Sequence, residues 1–242
     1  MKITNSYPVD WIDLQNKVCK LLNEAGYHAE SPKEIDTVRG TVEVDVLATS
    51  KMELVKQFIC ECKFWNTSIP KKEIHAFRTV VNDSGSMLGI FISKAGYQSG
   101  AYEAAYCSNV LLKDWGGFIN LIEKQWILTQ TVRIKKIAQP LSVYTDPCDV
   151  PFEKLSNEER EKYTEITNKC IEAYIICRDV FETLKEKESI VVNKQVFTAY
   201  DELYSYFEEL FLDTIKDYES LFANNPVEVW KLKDCKHLMI QL

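Results

Sequence analysis

From Trp11 onward the apolar positions Ile12, Leu14, Val18, Cys19, Leu21 and Leu22 recur at helical spacing, and Gly26 follows in "NEAGY". That pattern predicts an amphipathic helix closed by a glycine stop. Next come "GTVEVDVLATS" and "ELVKQFICECKFW", both rich in Val, Ile or Phe and separated by a polar stretch around 50–53. They predict a β-hairpin. Pro70 is placed to open a helix whose stripe is Ile74, Phe77, Val80 and Val81. "MLGIFIS" then predicts a buried strand, "YQSGAYEAAYCSN" a short helix, "VLLKDW" a further strand, and 115–126 a closing helix. The order α-β-β-α-β-α-β predicts an α/β fold with helices on both faces of a mixed sheet.

The pattern changes at "IAQPLSVYTDPCDVPFEKLS", where Pro140, Pro147 and Pro151 mark a connection. Ser156 and Glu159 have capping-box spacing. A long helix follows, with Ile166, Cys170, Tyr174, Cys177, Phe181 and Leu184 three or four apart. After a break at 189–193, Phe197, Tyr200, Tyr204, Phe207, Phe211, Ile215, Tyr218 and Phe222 share the stripe of a second helix, predicted to lie antiparallel to the first. The expected division is an α/β domain over 1–137 and a helical hairpin over 138–242.

Composition adds limits. With 46% apolar residues and 12% aromatics the 242-residue chain should fold. The start "MKITNSYPVDW" lacks the apolar core of a signal peptide, and no stretch approaches about 18 uninterrupted apolar residues, so a cytoplasmic protein with no membrane partner is expected. Eight cysteines without a CxxC pair, beside only His28, His75 and His237, read as reduced thiols rather than a zinc site. The net charge of −7 is uneven: residues 1–137 hold 17 basic against 15 acidic side chains, residues 138–242 hold 12 against 21. The acidity belongs to the C-terminal part. The first part can still present Lys33, Arg39, Lys71, Lys72, Arg78 and Lys94 to a polyanion.

The chemistry is concentrated in "FICECKFW". Glu61 and Lys63, two apart on a strand, lean to one face with Cα atoms about 6.6 Å apart, while Phe58, Cys60, Cys62 and Phe64 take the other. A Glu-x-Lys pair alone is more often a solvated salt bridge. Here the flanking Phe58, Ile59, Phe64 and Trp65 describe a central strand, where charges need a partner or a metal. On the preceding strand Glu43 and Asp45 share a face and Val42, Val44 and Val46 the other. Antiparallel pairing brings Asp45 toward Glu61 and Lys63. Two converging carboxylates repel each other and invite a hard divalent cation, Mg²⁺ or its substitute Mn²⁺. Such an ion can polarise a phosphodiester while the ammonium helps activate the attacking water.

"VEVDVLA" followed, sixteen residues after Asp45, by "ECK" resembles the PD-(D/E)xK nuclease superfamily. The run from "ECKFWNTSIPKKEIHAFRTVV" through "GIFISKAGYQSGAYEAA" to "VLLKDW" resembles its Mrr-like restriction endonuclease branch, over about residues 10–120. The resemblance implies a restriction-endonuclease-like mixed sheet flanked by helices, here with a C-terminal helical appendage. It also implies a Mg²⁺-dependent endodeoxyribonuclease acting on DNA in restriction or defence against foreign DNA, with Asp45 and Glu61 as metal ligands and Lys63 as catalytic lysine. A homodimer is expected, so that two sites cut two strands, with the C-terminal helices supplying its interface or binding a regulatory partner. Two departures stand out. Many Mrr-like proteins carry a Glu on the first helix where this chain has Gln15, with Asp13 nearby, and Glu43 replaces a glycine ahead of the metal Asp. Either Glu43 supplies the missing carboxylate or the site takes one metal instead of two.

Lys71 and Lys72 directly follow the motif strand, and Gln98 opens the short helix. They are candidates for DNA contact, with a solvated helix start and helix capping as the plainer alternatives. His75 reads as a helix-surface residue. The aromatic stripe over 197–222 reads as a packing seam, because its acidic surroundings would repel DNA. Three other functions fit the same residues less directly: a catalytically silent nucleic-acid-binding or scaffold protein, an interaction module built on the acidic helices, and a junction-resolving or repair nuclease.

Overall fold

The computed structural model describes residues 1–50, 56–178 and 187–229. The chain divides into two compact units, Asn5–Thr129 and a second made of Met1–Thr4 with Gln130–Leu242.

In the first unit, helix α1 (Trp11–Glu24) begins at Asp10, whose carboxylate accepts from the Asp13 N–H, and ends just before Gly26 at φ +92°. Strands β1 (His28–Glu30), β4 (Val46–Thr49), β5 (Gln57–Lys63), β6 (Leu88–Ser93) and β7 (Val110–Lys113) form a mixed sheet in the order β1-β4-β5-β6-β7. The pairs β1–β4 and β4–β5 are antiparallel, whereas β5–β6 and β6–β7 are parallel. Helices α2 (Lys71–Asp83) and α3 (Ser99–Ala105) make the crossovers that parallel strands require. The chain thus has the expected mixed sheet flanked by helices.

The two faces of β5 meet different partners. Phe58 packs edge-on against Tyr27, with centroids 5.1 Å apart, and Cys60 lies near Cys19 of α1. Ile59 instead joins a buried cluster with Ile74, Phe77, Val81 and Phe91 on the α2 side. Gly89 of β6 makes this second layer possible: a Cβ there would stand 2.6 Å from Val81 Cγ2 and 2.7 Å from Phe77 Cε1. The glycine within a buried strand therefore has a packing cause, the close approach of a helix.

The first expected hairpin strand is in fact two elements. Residues β3 (Gly40–Val44) leave the main sheet and pair with β2 (Lys33–Thr37) in a separate antiparallel ribbon, and the chain bends at Asp45 before β4 begins. The expected common face of Val42, Val44 and Val46 is accordingly split. Val42 and Val44 pack with the α2-side cluster, while Val46 pairs with Cys60 on the other face. Strands β1 and β2 were not anticipated; both are short and mixed in polarity, so neither has a clean period of two. Apart from Ser50, the expected hairpin turn lies outside the described residues.

Helix α4 spans Trp115–Ala138, longer than expected, and the division between the units falls within it. The second unit contains α5 (Leu141–Tyr144), a 3-10 turn (Phe152–Lys154), α6 (Asn157–Arg178), β8 (Ile190–Val192), β9 (Gln195–Phe197) and α7 (Tyr200–Leu221). The capping box forms as predicted: the Ser156 N–H donates to Glu159 Oε2 at 2.7 Å and the Glu159 N–H to Ser156 Oγ at 3.3 Å. Helices α6 and α7 run antiparallel, since Thr167 meets Tyr218 and Tyr163 meets Phe222. The break expected at 189–193 is the first strand of a β-ribbon, turning at Asn193 and Lys194 with φ of 49° and 68°. Phe181 and Leu184 lie outside the described residues. Tyr200, Tyr204, Phe207, Phe211, Tyr218 and Phe222 are buried, as a packing seam requires, whereas Phe197 is buried at the end of β9 rather than on the helix and Ile215 is only half-buried. Among the described residues the cysteines are free, and no helix is long and apolar enough to cross a membrane.

Candidate active site

The last residues of β5 carry the charged pair. Beyond Ile59, the alternation that puts Cys60 and Cys62 in the core turns Glu61 and Lys63 to the α2 side. Both side chains are about three-quarters covered, with relative exposures of 23% and 24%, and they form an ion pair.

Asp45 arrives from the bend. Val46 opposite Cys60 is the last backbone pair between β4 and β5, because β3 has turned away. The N–H of Cys62 would lose its ladder partner there. The Asp45 carboxylate takes that place: Oδ2 accepts from Cys62 N at 2.6 Å, and Oδ1 accepts from Gln15 Nε2 of α1, also at 2.6 Å. These charge-assisted bonds fix the carboxylate at the end of β5. The departure of β3 thus frees a side chain to do what a backbone carbonyl would otherwise do.

Burial raises the Glu61 carboxyl above the ordinary carboxylate range, the nearby Asp45 charge adds to this, and Lys63 opposes it. Burial lowers Lys63, but the charge and hydrogen bond of Glu61, with Asp45 and Glu73, outweigh it and leave the ammonium more firmly protonated than usual. The Lys63 ammonium is thus held protonated beside Glu61, whose ionised form the fold disfavours. The Cys62 thiol is pushed well up by burial and is no thiolate.

Of the other sequence candidates, Gln15 is brought to the centre. Asp13 is occupied elsewhere: it pairs with Lys17 at 2.6 Å and accepts from the Val9 N–H, and the Lys17 hydrogen bond chiefly lowers its pKa. Glu43 is exposed on β3 opposite Glu34, with no hydrogen bond or ion pair to Asp45, Glu61 or Lys63 among the described residues. Lys71 and Lys72 are exposed and lie 3.7 Å from Glu103 and Glu73 respectively. Gln98 is exposed before α3, its N–H bonded to Ile69 O and its side chain making no cap. His75 is exposed on α2. Two contributors escaped the sequence reading. Glu73 acts on both Glu61 and Lys63; its place one residue before buried Ile74, on the α2 face turned to the sheet, was an available signal. The Cys62 N–H left no signal, since its role depends on the bend at Asp45.

The donor set suits a hard cation. Each Asp45 oxygen has a second lone pair beyond its single hydrogen bond, and Glu61 is destabilised by the neighbouring carboxylate in a way that bound positive charge would relieve. Among the described residues no group of three or more His, Cys, Asp or Glu side chains could hold a metal. Two carboxylates supply oxygen ligands, which suit a hard divalent cation better than zinc.

No curated protein matches the chain. A crystal structure described as that of a protein of unknown function aligns with 87% of this chain and 100% of its own, at 16% identity and a TM-score of 0.40, too weak a likeness to support any argument. A family model for a restriction endonuclease, Mrr_cat, matches residues 7–122, the segment that holds α1, the mixed sheet and the Asp45–Glu61–Lys63 centre. Residues 7–122 of this chain belong to the Mrr-like restriction endonuclease family.

Proposed function

We propose that this member of a nuclease family is a divalent-metal-dependent endodeoxyribonuclease, with Mg²⁺ as its ion, that serves restriction or defence against foreign DNA. One observation carries the reading: the chain bends at Asp45 so that a hydrogen-bonded carboxylate closes on the half-buried Glu61–Lys63 pair. Asp45 and Glu61 would hold the ion. When bound, such an ion polarises the scissile phosphodiester and makes its water a better nucleophile. Gln15 and the Cys62 N–H keep Asp45 in place. Lys63, held protonated, orients the attacking water and offsets the charge that grows on the phosphorane.

Cleavage of supercoiled and linear DNA with Mg²⁺ or Mn²⁺, with EDTA, and with the Asp45→Ala and Lys63→Ala proteins tests this. Cleavage should vanish in EDTA and fall by roughly 10²–10³-fold or more in each variant. Full activity in both variants would remove the chemistry from this centre. A wild-type protein that neither cuts nor responds to metal would be a silent relative that keeps the fold.

A further inference from the structure

Within the Asn5–Thr129 unit is a cavity of about 330 Å³ walled by Tyr7, Leu14, Phe64 and Trp115, with Lys94 and Asp114 as charged groups on its lining. We propose that it receives a single base extruded from the DNA substrate, and specifically a base bearing an amino group. The inference rests on DNA being the substrate.

The volume is at the lower end of ligand pockets, about 300–1,000 Å³, which suits one flat heterocycle. Extruded bases are held by stacking against aromatic or apolar side chains and by hydrogen bonds to their exposed edge. Both elements are present. Trp115 is fixed in advance: its Nε1–H donates to Ser6 O at 3.1 Å and its ring stacks on Phe118 at 5.9 Å. Phe64 is covered by the Lys94 ammonium 4.2 Å from its centroid, while that ammonium donates to Asn66 Oδ1 at 2.8 Å. Tyr7, by contrast, is 63% exposed, a large ring left in water that a stacked base would cover. Asp114 Oδ1 accepts from the Gly117 N–H at 2.7 Å, and Oδ2 has no hydrogen-bond partner among the described residues. A carboxylate accepts from the exocyclic amino group of cytosine, adenine or guanine; thymine offers only its N3–H, flanked by two carbonyl oxygens that the carboxylate repels. A base still attached to its strand brings the strand's phosphates with it, so the duplex should outcompete a free nucleotide.

The test is binding of the full chain, in EDTA, to duplexes carrying cytosine or thymine opposite an abasic site, where extrusion costs little. The cytosine duplex should bind about tenfold tighter than the thymine duplex. Asp114→Asn keeps an acceptor for the Gly117 N–H, so helix α4 stays capped, and should abolish that preference. Tyr7→Ala, at an exposed position, should weaken the cytosine duplex about fivefold or more. Equal binding of the two duplexes overturns the proposal, as does competition by free deoxycytidine monophosphate as strong as that by the duplex. Because no cleavage is read, the two ideas fail separately. A preference for cytosine without any metal-dependent cutting defeats the nuclease assignment alone, and Asp45-dependent cutting without a preference defeats the base pocket alone.

Discussion

The polar groups inside the two units are treated in opposite ways. In the helical unit they are neutral and mostly paired: Thr131 and Tyr204 share a hydrogen bond at 2.6 Å, Thr167 and Tyr218 another at 2.6 Å, and Thr214 Oγ1 donates to Leu210 O at 2.7 Å. Among the described residues the buried exceptions are the Tyr163 hydroxyl, neutral but unpaired, and Nε of the charged Arg160. In the nuclease unit the half-buried groups at the end of β5 are charged, and burial and Asp45 together make ionised Glu61 unfavourable. Satisfied neutral pairs stabilise a core. Converging carboxylates cost stability, and they persist where a bound cation or a reaction uses them.

The seam provides the largest expected effect. Phe207 is fully buried on α7 and stacks on Phe211 with centroids 5.5 Å apart and planes 9° from parallel. Phe207→Ala should lower stability by about 3–5 kcal/mol, read by chemical denaturation. Its cleavage rate per folded molecule should stay that of the wild type. A variant that remains folded but loses cleavage would make the seam part of the function and undo the contrast.

That contrast was only partly legible in the sequence. Period and capping revealed the seam and α6, because a long helix repeats its buried positions and Ser156 with Glu159 has one obvious use. The order of α2, β6, α3 and β7 was readable for the same reason, each being bounded by a Pro, Gly or polar break. The bend at Asp45 was not. Val42, Val44 and Val46 alternate without interruption, and only the tertiary pairing of β3 with β2 breaks that alternation. The residues Asp45, Glu61 and Lys63 could be picked out as a group, whereas the way Asp45 is held could not: Gln15 lies thirty residues away in sequence, and a backbone N–H leaves no mark on side-chain pattern.

Gln15 sharpens the comparison at an intermediate scale. If it holds Asp45 ready for an ion, Gln15→Ala should weaken Mg²⁺ binding, read by calorimetry, by about tenfold or more, as loss of an orienting partner usually does. Gln15→Glu places a third carboxylate against Asp45. It should lower the melting temperature in EDTA and enlarge the stabilisation on adding Mg²⁺, since the added repulsion is relieved only by the ion. If both variants bind metal like the wild type, the hydrogen bond to Asp45 is structural, and the nuclease unit resembles the seam more than the contrast allows.

The smallest effect is the pH response of Glu61. Its pKa is raised in the fold above the ordinary 4.5, chiefly by burial and then by Asp45. Folding therefore favours the protonated form. That contribution is fully present below the unfolded carboxylate value and is lost as the pH rises through the folded one. In EDTA, the melting temperature of Glu61→Gln relative to wild type should climb over the window just above pH 4.5 and then level off, because the amide has no proton to lose. Added Mg²⁺ should narrow that gap at neutral pH by stabilising only the ionised wild type. A gap that does not change between pH 4 and pH 8 would mean that Glu61 is an ordinary carboxylate, and that the opposition between a strained centre and a satisfied seam does not lie in its charge.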